Sequence, residues 1–258
     1  PEAYGVFSSS LSFVMLFVPL AGFGVAQFWL KTFGQEGWAA RRWLKGSLKF
    51  TIYSTGLVFC GLITWALFGP HDFLTSWVLS LLAFHVLAQV VLELVSSRLQ
   101  LEEKFQVLAL WQLFPHFFRF ILVALLGLFL SYNLDVVLGS LMYSLVALVM
   151  MPIGYYMLKP MFTNDFSLVG HDSNTGAGNE IQKSWKAVIA LSWPFGLAAF
   201  AHLVYYQSDI VLLKYLDSDA SAGIYNIAFL VISAIYLLPA VIYQKYLLPK
   251  IHRWSIQE

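Results

Sequence analysis

Six polar side chains recur at helical spacing inside two otherwise apolar stretches. His85, Gln89 and Glu93 stand at i, i+4 and i+8, and Gln112, His116 and Arg119 at i, i+4 and i+7. On an α-helix each set shares one face. An ionisable group within an apolar segment is costly and by default faces a partner or a water-filled cavity. Arg119 offers the sharpest chemistry, because a guanidinium makes forked, charge-assisted bonds to phosphate oxygens. The same residue could instead form a structural pair with Glu93, bridged by His116. His85 and His116 are either hydrogen-bonded packing groups or proton carriers. The chain has no His-Glu-x-x-His sequence and no second cysteine beside Cys60, so neither a metal site nor a disulfide is predicted.

A second set lies downstream. His202 and Asp209 follow Trp193-Pro194, and Asp209 adjoins Gln207 and Ser208. Asp209, like His202, either binds a coupling proton or cation or serves the helix itself, Asp209 by pinning its end. Pro19, Pro194 and Pro239 fall inside apolar stretches, where a proline removes a backbone hydrogen bond and admits a kink, so they are candidate hinges. Ser8-Ser9-Ser10-Leu11-Ser12 would turn hydroxyls toward a cavity or back onto its own helix.

The elements that position these residues are seven apolar blocks, at 4–30, 47–69, 73–98, 106–130, 135–158, 185–213 and 221–244. Each is near the ~20 residues needed to cross a bilayer's hydrocarbon as a helix. They are too long, and too continuously apolar, for the ~10-residue alternating strands of a membrane barrel. The fold class is therefore all-α, a polytopic membrane helix bundle. Composition agrees: 59% of residues are hydrophobic and 11% charged, against about 25% charged in a soluble domain. A net charge of +1 argues against a nucleic-acid partner.

Charge also orients the chain. Of 15 lysines and arginines, all but Lys214 and Arg119 fall in or beside alternate gaps. These are Lys31, Arg41, Arg42, Lys45 and Lys49, then Arg98 and Lys104. Lys159, Lys183 and Lys186 follow, and then Lys245, Lys250 and Arg253. By the positive-inside rule these gaps face the cytoplasm. Trp29, Trp38, Trp43, Trp65, Trp77 and Trp185 lie near block ends, where an interfacial belt is expected. The basic loop 31–49 reads as an amphipathic segment on the anionic inner leaflet. Glu102 and Glu103 read as a solvated helix end, and Cys60 as an inert packing residue. The third and fourth blocks are antiparallel neighbours with centres near residues 86 and 118. His85 and Arg119 therefore sit close to mid-membrane, with Glu93 and Gln112 about 10 Å toward the cytoplasm at ~1.5 Å per residue.

Residues 159–184 form a polar, Gly/Asn/Ser-rich linker, which marks a boundary between lobes. The expected organisation is 1–158, the N-terminal lobe helices; 159–184, a cytoplasmic linker; and 185–258, the start of a C-terminal lobe. An internal echo supports it. Gly5-Val6-Phe7 precedes Pro19 as Gly223-Ile224-Tyr225 precedes Pro239, one glycine, one β-branched residue and one aromatic before each proline. Five blocks separate the copies, so a repeat would have a period of six helices and give two parallel lobes about an axis along the membrane normal. The first block starts almost at residue 1 and would run from outside to inside. An earlier span is therefore expected, and the C-terminal lobe is expected to be incomplete.

Certain motifs carry a family resemblance. Tyr4-Gly5-Val6-Phe7 ahead of a Ser-rich, Pro-centred helix resembles the second helix of bacterial polysaccharide (Wzx-type, O-antigen/exopolysaccharide) flippases. Ser192-Trp193-Pro194, Tyr205-Tyr206-Gln207-Ser208-Asp209, Ala222-Gly223-Ile224-Tyr225-Asn226 and Leu248-Pro249-Lys250 resemble the seventh and eighth helices of the same family. That family belongs to the multidrug/oligosaccharidyl-lipid/polysaccharide exporter superfamily. The resemblance implies a carrier, not an enzyme, in a bacterial inner membrane. It would move a polyprenyl-pyrophosphate-linked oligosaccharide outward for surface polysaccharide, such as lipopolysaccharide, by secondary transport. Partners would be that lipid-linked oligosaccharide, membrane lipids and other polysaccharide-assembly proteins, with no cofactor. No Gly-x-x-x-x-Gly-Lys-Ser/Thr sequence occurs, so a nucleotide is not the predicted energy source. The rival readings are a drug or cation exporter of the same superfamily and a membrane-embedded glycan ligase or polymerase. Arg119 speaks against the first, and the short outer gaps speak against the second.

Overall fold

The computed structural model describes residues 2–129, 136–163, 165–168 and 181–241, with side chains to residue 125 in the helix ending at Phe129 and to residue 236 in the helix ending at Val241. Most of the linker motif (169–180), the gap 131–134, the Leu248-Pro249-Lys250 motif and the last basic group (Lys245, Lys250, Arg253) lie outside the described residues, as does the side chain of Pro239.

The described residues form helices α1 (Glu2–Phe17), α2 (Val25–Glu36), α3 (Leu44–Phe68), α4 (Phe73–Leu101), α5 (Phe105–Phe129), α6 (Val136–Thr163), α7 (Trp185–Leu216) and α8 (Asp219–Val241), with no strand among them. Long apolar segments fold this way because a backbone in hydrocarbon must satisfy its hydrogen bonds within the segment. Six helical stretches are long and apolar enough to cross a membrane. The first, Glu2–Phe68, has 67 residues, ample for two crossings of ~20 residues each. The chain is a multi-pass membrane protein.

The first apolar block is not the continuous helix its length predicts. α1 stops at Phe17, Val18–Leu20 form a 3-10 turn containing Pro19, and α2 starts at Val25. Between them Gly22, Phe23 and Gly24 have φ of 79°, 37° and 76°. Three left-handed residues in a row end a right-handed helix, and two of them are glycine, which adopts that region without steric cost. The Gly22 amide is recovered by the Ser54 hydroxyl of α3, which accepts it at 2.9 Å. The break lies against α7: a Cβ on Gly24 would stand 2.5 Å from the Gly196 nitrogen. Pro194 lies inside the continuous α7, one turn from this crossing, and Pro115 and Pro152 lie inside α5 and α6.

α4 is the central helix. It packs most extensively on α6 and also meets α1, α2, α3 and α5. Ser144 of α6 donates to the Leu81 carbonyl at 2.6 Å, an interhelical bond of a kind worth about 0.6 kcal/mol in membranes. α4 and α5 are joined by a tight turn in which Glu103 takes φ 51° and the Lys104 amide donates to the Leu99 carbonyl. α1 packs against both α7 and α8, so helices on either side of 159–184 are in direct contact.

Several expectations are corrected. Glu102 is not solvated: its side chain is 1% exposed, 3.0 Å from Arg98 and 3.1 Å from Lys104. Arg98 also donates to the Met157 carbonyl, so this cluster ties α4 to α6. Trp29 and Trp43 are buried, not interfacial. Trp43 packs edge-on against Phe28 and donates to Glu36 at 3.0 Å. The 31–49 segment is thus α2, a 3-10 stretch Gly37–Trp43 and the start of α3. Its tryptophans turn toward the protein, Trp38 lying against Phe166 at 5.1 Å. Cys60 is exposed on α3 and is not a packing residue. The exposed Trp65, Trp77 and Trp185 remain compatible with a belt.

Candidate functional site

Two adjoining cavities run through the bundle, and the two predicted polar faces line them. The first, about 360 Å³, is bordered by Tyr4, Ser8 and Ser12 of α1, His85 and Gln89 of α4, and His116 and Arg119 of α5. Tyr143 of α6, Gln207 of α7, and Asn226 and Phe229 of α8 also line it, together with the apolar Phe7, Leu11, Met15 and Leu230. It therefore lies between helices that precede and follow residues 159–184. The second, about 450 Å³, lies nearer the basic helix ends. It is bordered by Gln27 of α2, by Gln89, Glu93, Ser96, Ser97 and Gln100 of α4, and by Gln112 and His116 of α5. Gln89 and His116 line both, so the two spaces share a wall. All six residues singled out on blocks three and four reach one cavity or the other.

Arg119 is held at one end only. Its Nε donates to the Pro115 carbonyl at 3.0 Å, one turn back on α5. Its guanidinium lies over the Tyr143 ring, 4.2 Å from the centroid, a cation–π contact. A guanidinium has five N–H donors, and no described residue takes those of its two terminal nitrogens. The site is electropositive and keeps forked donors unspent. No ion pair joins Arg119 to Glu93 among the described residues. Glu93 lines the second cavity, with no hydrogen bond to a described residue.

Tyr143 organises the first cavity. His85, 4% exposed, meets its ring edge-on at 5.2 Å, and the His85 Nε2 lies 2.9 Å from the Gln89 amide nitrogen. That pair places the acceptor nitrogen of a neutral imidazole on Nε2, because the Gln89 amide nitrogen can only donate. Phe7 of α1 also meets Tyr143 edge-on, at 5.5 Å. Nothing in the sequence marked Tyr143, and Tyr4, Gln207 and Asn226 stood in the family-like motifs without being singled out as cavity residues. One tyrosine, one glutamine or one asparagine in an apolar run carries no periodic signal, and only packing brings the four to one space. The serine run does both things expected of it. Ser8 and Ser9 bond back to Gly5 at 3.3 and 2.6 Å, while Ser8 and Ser12 also line the cavity.

The downstream candidates lie elsewhere. Asp209 is exposed and accepts from the Tyr225 hydroxyl at 2.8 Å, which pins α7 to α8. His202 is exposed and packs against Tyr206 with the rings tilted, centroids 4.6 Å apart. Neither borders the two cavities. At the helix ends opposite the basic ones, Lys214 pairs with Asp219 at 3.3 Å. His71 packs there between Trp65 and Tyr215, with ring centroids 5.5 and 6.2 Å away.

Compared with known proteins, residues 1–254 match a family described as "Polysaccharide biosynthesis protein". No curated protein and no solved structure matches.

Proposed function

The chain belongs to the polysaccharide biosynthesis protein family, and from that premise we propose that it translocates a polyprenyl-pyrophosphate-linked oligosaccharide across a bacterial inner membrane. The observation that carries this reading is Arg119. Its terminal donors are without a partner among the described residues, in a cavity between membrane helices. Phosphate oxygens are the chemistry those donors fit. The cavity's other walls mix hydroxyl, amide, imidazole and aromatic groups with the apolar Leu11, Met15 and Leu230, suited to an amphiphile with a polar head.

In this reading α1–α6 and the helices from α7 onward form two lobes, with 159–184 as the linker between them. They rock about the crossing where the Pro19 break meets α7 beside Pro194, so the cavity opens alternately to each side. The protein acts as a carrier and makes no glycosidic bond. Reconstituted into proteoliposomes with a lipid-linked oligosaccharide in the inner leaflet, it should expose the glycan to a lectin outside. Exposure no faster than in protein-free vesicles would overturn the proposal. Transfer of the sugar to another acceptor would favour a ligase instead.

A further inference from the structure

The second cavity has a different chemistry from the first. Its polar walls are four carboxamides (Gln27, Gln89, Gln100 and Gln112), two serines and one carboxylate, Glu93, with His116 at the boundary. No lysine or arginine among the described residues borders it. The nearest cations along α4 and α2 are engaged elsewhere: Arg98 with Glu102 and the Met157 carbonyl, Lys31 over the Phe195 ring at 5.9 Å. The volume, about 450 Å³, falls in the ~300–1,000 Å³ range of small-molecule sites. Side chains that both donate and accept, spread along about 16 Å of α4 from Gln89 to Gln100 at ~1.5 Å per residue, match a ligand of many hydroxyls.

We infer that this cavity is the sugar subsite of the carrier, and that Glu93 makes it selective for uncharged or amino sugars over acidic ones. The inference rests on the reading of Arg119 as the phosphate anchor. Gln89 and His116 border both cavities, so a sugar joined to a phosphate held at Arg119 has the second cavity directly beside it. Carboxamides and serines exchange donors and acceptors with sugar hydroxyls. The Glu93 carboxylate accepts from a hydroxyl or pairs with an ammonium group. A uronic acid would instead bring a second carboxylate opposite Glu93 with no described cation between them, and like charges held close together repel.

The test measures binding of three synthetic probes to the full-length protein in lipid nanodiscs. These are polyprenyl pyrophosphate bare, bearing glucose, and bearing glucuronate. The wild type should bind the glucose probe about tenfold tighter than the bare one, and the glucuronate probe at least about tenfold more weakly than the glucose one, each factor of ten being the ~1.4 kcal/mol step of affinity arithmetic. Glu93→Gln should remove the handicap of glucuronate. Gln112→Glu should enlarge it, which keeps the test decisive if Glu93→Gln folds poorly. Arg119→Ala should weaken all three probes alike. Equal binding of glucose and glucuronate probes by the wild type would overturn the subsite, as would an unchanged handicap in Glu93→Gln or Gln112→Glu. A normal sugar preference with Arg119→Ala leaving every affinity unchanged would instead sink the phosphate anchor alone. Failure of every probe to bind would sink both.

Discussion

Arg119 and His71 show how one side chain's surroundings set its task. Arg119 spends its Nε on the Pro115 carbonyl and its ring-facing surface on Tyr143, so what remains is a pair of terminal nitrogens. Arg119→Lys keeps the charge and loses the fork. Bonds to charged groups are worth ~1.5–3 kcal/mol, so transport should fall roughly 10- to 100-fold in Arg119→Lys and be lost in Arg119→Ala, with membrane abundance unchanged. Because Arg119 and Glu93 border different cavities and form no ion pair with each other in the structure, Glu93→Gln should not restore transport to Arg119→Ala. Complementation and immunoblotting of membranes would read both, and a double mutant that transports like wild type would restore the paired reading. His71 lies outside the apolar blocks. Burial, and then the Lys214 ammonium, hold its imidazole below the usual histidine range, against the opposing pull of Asp72. The folded state therefore takes this proton less readily than the unfolded chain. Its contribution is complete above the ordinary pKa of ~6.5 and fades as pH falls below that value. The thermal midpoint in detergent should drop on going from about pH 7.5 to about pH 5, and His71→Gln should flatten that slope. An identical slope in the variant would rule His71 out as its source.

At the scale of elements, the break between α1 and α2 is the least ordinary feature. A proline alone kinks a helix. Here the kink becomes a full interruption because Gly22, Phe23 and Gly24 all take positive φ. α7 then approaches the break closely, backbone against backbone, at Gly196. Gly24→Ala should cost at least about 1–3 kcal/mol for the backbone conformation, and more for the contact with α7. Gly34 gives the control: it lies within α2, exposed, and a Cβ there meets nothing within 4 Å. Gly34→Ala should therefore stabilise by roughly 0.5–1 kcal/mol. Thermal unfolding of the two variants in one detergent would give shifts of opposite sign, and like signs would refute the assignment of strain. The Arg98–Glu102–Lys104 cluster is a second element-scale device. It buries a carboxylate between two cations where α4 ends, fixing that end to α6.

The whole molecule is oriented by its charges and divided by its contacts. Thiol labelling or reporter fusions should place residues 36, 101 and 172 inside and residues 71, 133 and 218 outside, because basic residues crowd one set of gaps. Cys60, exposed on α3, should first be replaced by serine in the labelling experiment. Residue 172 outside would undo both the span assignment and the proposed lobe boundary. The Arg119 cavity draws its walls from α1, α4, α5 and α6 on one side of 159–184 and from α7 and α8 on the other. A site of that kind changes shape whenever the two groups move relative to each other, which is why the carrier reading attaches to it.

The sequence by itself determined the spans, their helical state and the shared faces of His85–Glu93 and Gln112–Arg119. Each follows from local rules: hydrocarbon forces internal hydrogen bonding, and a helix repeats every 3.6 residues. The depth match between α4 and α5 followed from rise per residue alone. Partnership did not, because it depends on which helix lies across the gap. Glu102 read as solvated until Arg98 and Lys104 closed on it, and Trp29 and Trp43 read as interfacial until α2 and the 3-10 stretch after it turned them inward. Arg119 and Glu93, offered as a pair by the sequence, border different cavities, and the Arg119 guanidinium lies instead over Tyr143, a residue 24 positions away on a different helix. The break at Gly22–Gly24 lies against α7 at Gly196 and donates a hydrogen bond from the Gly22 amide to Ser54 of α3, neighbours that the local sequence does not name. In each case a side chain's chemistry was legible in one dimension, while its neighbour was supplied only by the packing of helices far apart in the chain.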